Sequence, residues 1–124
     1  MTIAQAAKRY ELTADTLRYY ERVGLLPSVR RTASGIRDYT EDDCNWVGFI
    51  KCMRSAGVSV ETLAEYVRLF RQGPETAAAR KELLLAQRAE IAARIAELTE
   101  VLHRLDVKLD GYEETVLKCE EGLK

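Results

Sequence analysis

Long apolar runs are missing from this chain. The longest uninterrupted stretch is Leu83–Ala86, far short of the roughly 18 to 20 residues that cross a bilayer. Met1 to Tyr10 contains no hydrophobic signal-peptide core. A soluble, cytoplasmic protein with no membrane partner is therefore expected. Cysteine is scarce: Cys44, Cys52 and Cys119 are an odd number without CxxC spacing, which argues against a disulfide scaffold and fits a reducing compartment. An iron–sulfur centre needs four clustered cysteines, and three scattered ones do not supply them. His103 is the only histidine, and a soft-metal site needs at least two convergent ligands. No cofactor, metal site or catalytic residue is expected.

What is present suits a folded domain. The 124 residues are 47% apolar and 31% charged, enough of each for a packed core under a solvated surface. The size allows one domain and at most a small second module. The formal net charge of −1 conceals a gradient. Residues 1–72 hold 11 Lys/Arg against 9 Asp/Glu, and residues 73–124 hold 8 against 11. Within 8–37 seven basic residues face three acidic ones, and eight of the nine aromatics precede residue 73. The first part can build a globular core with a local basic surface, whereas the second must bury its apolar face differently.

Thr2 and Gln5 have capping-box spacing, and Ile3, Ala6, Ala7 and Tyr10 recur at helical period. Thr13 caps a second helix that turns Leu17 and Tyr20 inward and gathers Asp15, Arg18, Tyr19 and Arg22 on its other side. Gly24 and Pro27 end it. Two short helices joined by a tight turn have the size of a helix-turn-helix. Extended segments at 29–31 and 36–39, joined by Thr32-Ala33-Ser34-Gly35, form a basic hairpin. Thr40 with Asp43 opens a helix striped by Trp46, Phe49, Ile50 and Met53. After Gly57, Ser59 caps another that carries Leu63, Tyr66, Val67 and Phe70.

Beyond Gly73-Pro74 the period changes to a heptad. Positions a fall at Arg88, Ile95, Leu102 and Leu109, and positions d at Leu84, Ile91, Leu98, Leu105 and Tyr112. Eight of these nine are apolar, making a coiled-coil seam of roughly 42 Å at about 1.5 Å per residue. A seam this long projects beyond a domain of 72 residues, so homodimerisation is expected. The domains read as 1–72, a DNA-binding unit with an accessory helix pair, and 73–124, a dimerisation helix with a short tail.

Arg18, Tyr19 and Arg22, with Thr13, Asp15 and Thr16 at the same helix start, are candidates for phosphates and major-groove base edges. Arg30, Arg31 and Arg37 on the hairpin are candidates for the adjacent backbone. At these residues the chain resembles the MerR family of bacterial transcription regulators. The likeness rests on Thr2-Ile3-Ala4-Gln5-Ala6-Ala7, Leu17-Arg18-Tyr19-Tyr20-Glu21, Gly24-Leu25-Leu26-Pro27, Arg30 with Gly35-Ile36-Arg37-Asp38-Tyr39, and Gly57-Val58-Ser59. It implies a mainly α fold: a winged helix-turn-helix followed by a long dimerisation helix in an antiparallel coiled coil. It also implies a regulator that bends and untwists an overlong promoter spacer so that RNA polymerase engages both promoter elements. By the same resemblance Arg18 and Tyr19 contact DNA from the recognition helix, while Arg37 and Tyr39 hold the backbone from the wing.

Metal-sensing members of that family carry a cysteine at the start of the long helix. Here Gly73-Pro74-Glu75-Thr76-Ala77 offers none. The segment from Phe49 to Gly57 is instead similar to the thiol- and aldehyde-responsive branch, in which a cysteine at the place of Cys52 is regarded as the sensor. Lys51 and Arg54 are its sequence neighbours and favour a thiolate if they face it; the alternative is an inert, buried thiol. Other readings are a metal-responsive regulator, a coiled-coil adaptor, and an enzyme using Cys52. The last lacks a histidine nearby and leaves the wing and seam unexplained.

Overall fold

Helix α1 (Ile3–Arg9) begins at Thr2, whose hydroxyl accepts from Gln5 N while Gln5 Oε1 accepts from Thr2 N. Two backbone donors at the helix start, Thr2 N and Gln5 N, are thereby satisfied. The computed structural model that shows this describes residues 1–27 and 29–122, with no side-chain description for Glu121. Helix α2 (Ala14–Arg22) follows a turn in which Glu11 takes φ +55°. Strands β1 (Arg30–Arg31) and β2 (Arg37–Asp38) pair antiparallel, Arg30 opposite Asp38 and Arg31 opposite Arg37. Their loop is closed by Gly35 N donating to Thr32 O and Thr32 N to Ile36 O. The hairpin stands where the sequence puts it, with shorter strands.

Helix α3 (Glu41–Ser55) opens on the Thr40/Asp43 capping box, and α4 (Val60–Gln72) on Ser59. The buried face of α3 is Asp43, Cys44, Val47 and Ile50. This corrects the expected stripe: Trp46, Phe49 and Met53 are only half-buried. Small Cys44 and Val47 fit the closely packed interior, and the aromatics flank it. Trp46 meets Phe49, Tyr66 and Phe70 at centroid distances of 6.0, 5.9 and 4.9 Å. Together with Pro27, Asp42, Asp43 and Asn45 these four rings line an open groove of about 510 Å³. Gly48 on α3 admits Tyr10, whose Cε1 would lie 3.0 Å from an added Cβ.

The first compact unit spans Met1–Gln87 and centres on Leu17, Leu25, Leu26, Val47, Ile50, Leu63 and Val67. Gly73, at φ +115°, leads through a 3₁₀ turn (Pro74–Thr76) into α5 (Ala77–Leu109). The second unit, Arg88 onward, contains the rest of α5 and α6 (Tyr112–Gly122). One expectation changes here. Tyr112 is not a continuation of the long helix, because Asp110-Gly111, with Gly111 at φ +66°, ends α5 and Tyr112 starts α6. The tail is therefore helical through Gly122; residues 123–124 of the expected second domain lie outside the described residues. Among the described residues no helix is long and apolar enough to cross a membrane.

Candidate nucleic-acid interface

Helix α2 is fixed from below and open above. Leu17 and Tyr20 are buried, so the residues between them in helical phase face outward. At its start the Thr13 hydroxyl accepts from Thr16 N at 3.1 Å and shares a hydrogen bond with the Thr16 hydroxyl at 2.9 Å. Asp15 and Arg18 pair at 2.7 Å, both well exposed. Such a pair is worth about 0 to 1 kcal/mol, so Arg18 exchanges Asp15 for another anion at little cost. The Arg22 guanidinium lies 5.5 Å from the centroid of Tyr19, itself 38% exposed. The structure thus places Thr13, Asp15, Thr16, Arg18, Tyr19 and Arg22 along one helix, with Thr13, Asp15 and Thr16 at its start and Arg22 in its last turn rather than at the start.

On the wing Arg30 and Arg31 are exposed, and Arg31 Nη1 donates to Gly35 O at 3.0 Å. Arg37 is held differently. Its Nε donates to Glu21 Oε2 at 2.6 Å, with both side chains about three-quarters buried. Sequence reasoning assigned Glu21 nothing, and a separation of 16 residues carries no local signal. Tyr39 departs from its expected place on the backbone-gripping surface. It is 2% exposed, and its buried hydroxyl has no hydrogen-bond partner among the described residues. Its ring is part of the core, out of reach of a phosphate in this arrangement. Burial pushes the phenol's pKa upward, and the Glu21 charge adds to that.

The cysteines separate by environment. Cys52 is exposed on α3, which removes the buried alternative. Its basic neighbours do not turn to it: Lys51 Nζ donates to Tyr10 O, and Arg54 Nη1 donates to Val58 O at 2.8 Å. The expectation that these cations favour a thiolate therefore lacks the geometry it requires. Cys44 is buried, its Sγ 3.8 Å from Met1 Sδ, and desolvation pushes its thiol pKa up. Cys119 is exposed on α6. Among the described residues no three His, Cys, Asp or Glu side chains gather as a metal site.

Comparison with known proteins agrees with this geometry. The family model described as MerR HTH family regulatory protein matches residues 1–69, and the one described as MerR, DNA binding matches residues 45–107. The chain is 58% identical over 91 residues to the HTH-type transcriptional regulator AdhR of Bacillus subtilis. That match covers 73% of this chain and 65%, just under two thirds, of AdhR. A crystal structure from Listeria monocytogenes, described as a MerR family transcriptional regulator, superposes with a TM-score of 0.90 at 43% identity, covering 99% of this chain and 93% of that one. The structure of HiNmlR, a MerR family regulator lacking the sensor domain and bound to promoter DNA, superposes with a TM-score of 0.84. Identity there is 32%, with coverage of 94% and 92%.

Proposed function

Because the chain belongs to the MerR family of helix-turn-helix regulatory proteins, in the branch that holds AdhR and HiNmlR, we propose that it acts as a homodimer which bends and untwists an overlong promoter spacer in response to reactive aldehydes or thiol stress at Cys52. Its relatives are transcriptional regulators rather than enzymes, so Cys52 is a thiol to be modified and not a catalytic nucleophile. The observation that carries the DNA reading is the exposed row Arg18, Tyr19 and Arg22 opposite the buried Leu17 and Tyr20. A helix presenting such a row fits a major groove about 12 Å wide, and Arg30, Arg31 and Arg37 supply cations for the flanking backbone.

Residues 1–72 would read DNA and residues 73–124 would join two copies, in the cytoplasm, on a promoter shared with RNA polymerase. Supporting the dimer, α5 buries no residue within its own chain, and Leu84, Ile95, Leu98, Leu102, Leu105 and Leu109 are each at least 36% exposed; Ile91 is half-buried. An apolar row of this length needs a partner. With the seam ending at Leu109, residues 84–109 span roughly 39 Å at about 1.5 Å per residue. An antiparallel pairing of that length holds two heads at a separation near the roughly 34 Å repeat of the duplex. Bending a site of 20 to 30 base pairs costs on the order of 1 to 6 kcal/mol, which a small shift between the heads can supply or withdraw.

Support for the sensor is the likeness of residues 49–57 to the aldehyde-responsive branch together with the exposure of Cys52. Addition of the thiol to an aldehyde carbonyl forms a C–S bond and moves the thiol proton to the carbonyl oxygen, with no oxidant. Binding of a duplex carrying the gene's own upstream region, measured by anisotropy against salt, tests the DNA reading. Specific binding should weaken steeply as salt rises. In a reporter strain Cys52→Ser should keep promoter binding and lose induction by formaldehyde; induction equal to wild type would remove Cys52 from the mechanism.

A further inference from the structure

The geometry points to Glu21 as a positioning residue for DNA binding: we propose that its carboxylate holds the Arg37 guanidinium by the Nε edge and leaves the opposite edge free for a backbone phosphate beside α2. The assignment rests on the DNA-binding reading above. The wing cannot set its own angle, since β1 and β2 pair over only two residues each, well below the length at which a hairpin is stable alone. Arg31 and Arg37 stand directly opposite each other in that ladder, an arrangement of like charges that drives the side chains apart. Arg31 turns to Gly35 O inside the hairpin, whereas Arg37 turns to Glu21 on α2.

The contact has the qualities of a built one. At 2.6 Å it is a short charge-assisted bond, and its partners are 24% and 23% exposed, against 47% and 92% for the Arg18–Asp15 pair. Water and salt therefore screen it less. Tyr39 lies close enough for its titration to feel both charges, yet its hydroxyl forms no hydrogen bond that would draw Glu21 away. Arg37's Nη groups have no partner among the described residues, so a two-pronged donor remains for phosphate oxygens. Glu21 shares α2 with Arg18 and Arg22. One side chain thus fixes a phosphate-directed wing arginine relative to the groove-directed residues.

Charge alone predicts the opposite sign. A carboxylate near DNA repels phosphate, so deleting it should tighten binding. If Glu21 positions Arg37, Glu21→Ala weakens binding of the upstream duplex about tenfold, as loss of one charge-assisted contact does. The log–log salt slope then falls by about 0.9, as it also does in Arg37→Ala. Glu21→Gln keeps an acceptor for Nε without the charge and stays within about threefold of wild type. The double variant Glu21→Ala/Arg37→Ala binds no more weakly than Arg37→Ala, because Glu21 acts only through Arg37. Arg37→Lys, which keeps the charge and loses the fork, loses as much as Glu21→Ala; it serves should Glu21→Ala fail to fold. Equal or tighter binding by Glu21→Ala, additive losses in the double variant, or full binding by Arg37→Lys overturns the assignment. If wild type itself fails to bind the duplex, it is the DNA-binding reading that falls.

Discussion

Arg18 and Tyr39 stand at opposite ends of what a single side chain reveals about itself. Arg18 sits three residues after Asp15, on the exposed side of a helix whose buried side is Leu17 and Tyr20, and all of this follows from local period. Arg18→Ala should weaken binding of the upstream duplex by about 1 to 3 kcal/mol and narrow its advantage over a scrambled duplex, as competition anisotropy would show. A uniform loss across both duplexes would make it a backbone contact instead. Tyr39 was not legible in the same way. Its burial depends on how the wing folds against α1 and α2, where Tyr39 N donates to Met1 O at 2.7 Å, and no spacing near residue 39 encodes that. Because its hydroxyl is buried without a partner, Tyr39→Phe should leave stability unchanged or raise it by up to about 1 kcal/mol in urea unfolding. Burial raises the phenol pKa of both Tyr20 and Tyr39. The unfolded chain ionises first, near pH 10, so their contribution to stability is intact below about pH 10 and is lost as pH rises through the higher folded values. Tyr39→Phe should flatten that alkaline decline, and an equally steep one would mean that Tyr39 does not titrate as a buried group.

At the scale of the helix, start signals were the most readable feature, because they are contained within four residues. Thr2 with Gln5 and Thr40 with Asp43 close as reciprocal boxes, and Thr13 and Ser59 cap in the simpler manner. Thr40→Ala should cost about 1 kcal/mol of stability by urea unfolding without altering the folded protein's duplex affinity. A loss of affinity at unchanged stability would show that α3's start reaches the interface. Faces were less readable than starts. Trp46, Phe49, Ile50 and Met53 satisfy helical spacing, yet α3 turns Cys44 and Val47 inward beside Ile50. Periodicity fixes intervals along a helix, while the phase is decided by what the neighbouring elements leave room for. The heptad pattern ran through Asp110-Gly111 to Tyr112 without the pair registering as a turn. The positive φ of Gly111 shows which of the two governs the backbone.

For the molecule as a whole, the proposed pairing is where the seam and the basic heads act together. One head carries Arg18, Arg22, Arg30, Arg31 and Arg37, and a second head tethered to it doubles the cations offered to phosphates. Tethering makes the second contact intramolecular, at an effective concentration that raises overall affinity by about 10² to 10⁴ without a new contact. The exposed apolar row on α5 is what would hold the tether, and Leu98 and Leu102 lie near its middle at 61% and 60% exposure. Leu98→Asp with Leu102→Asp sets charges where two copies would meet, at positions that follow the first compact unit in sequence, since that unit ends at Gln87. The double variant should sediment as a single chain at micromolar concentration, keep its near-ultraviolet aromatic signal, and bind the upstream duplex at least about 100-fold more weakly. Its remaining affinity should follow salt with about half the wild-type slope, since one set of phosphate contacts is left. A variant that sediments as one chain and binds as tightly as wild type would mean that a single head reads the site, and the coupling of seam to DNA distortion would fall with it.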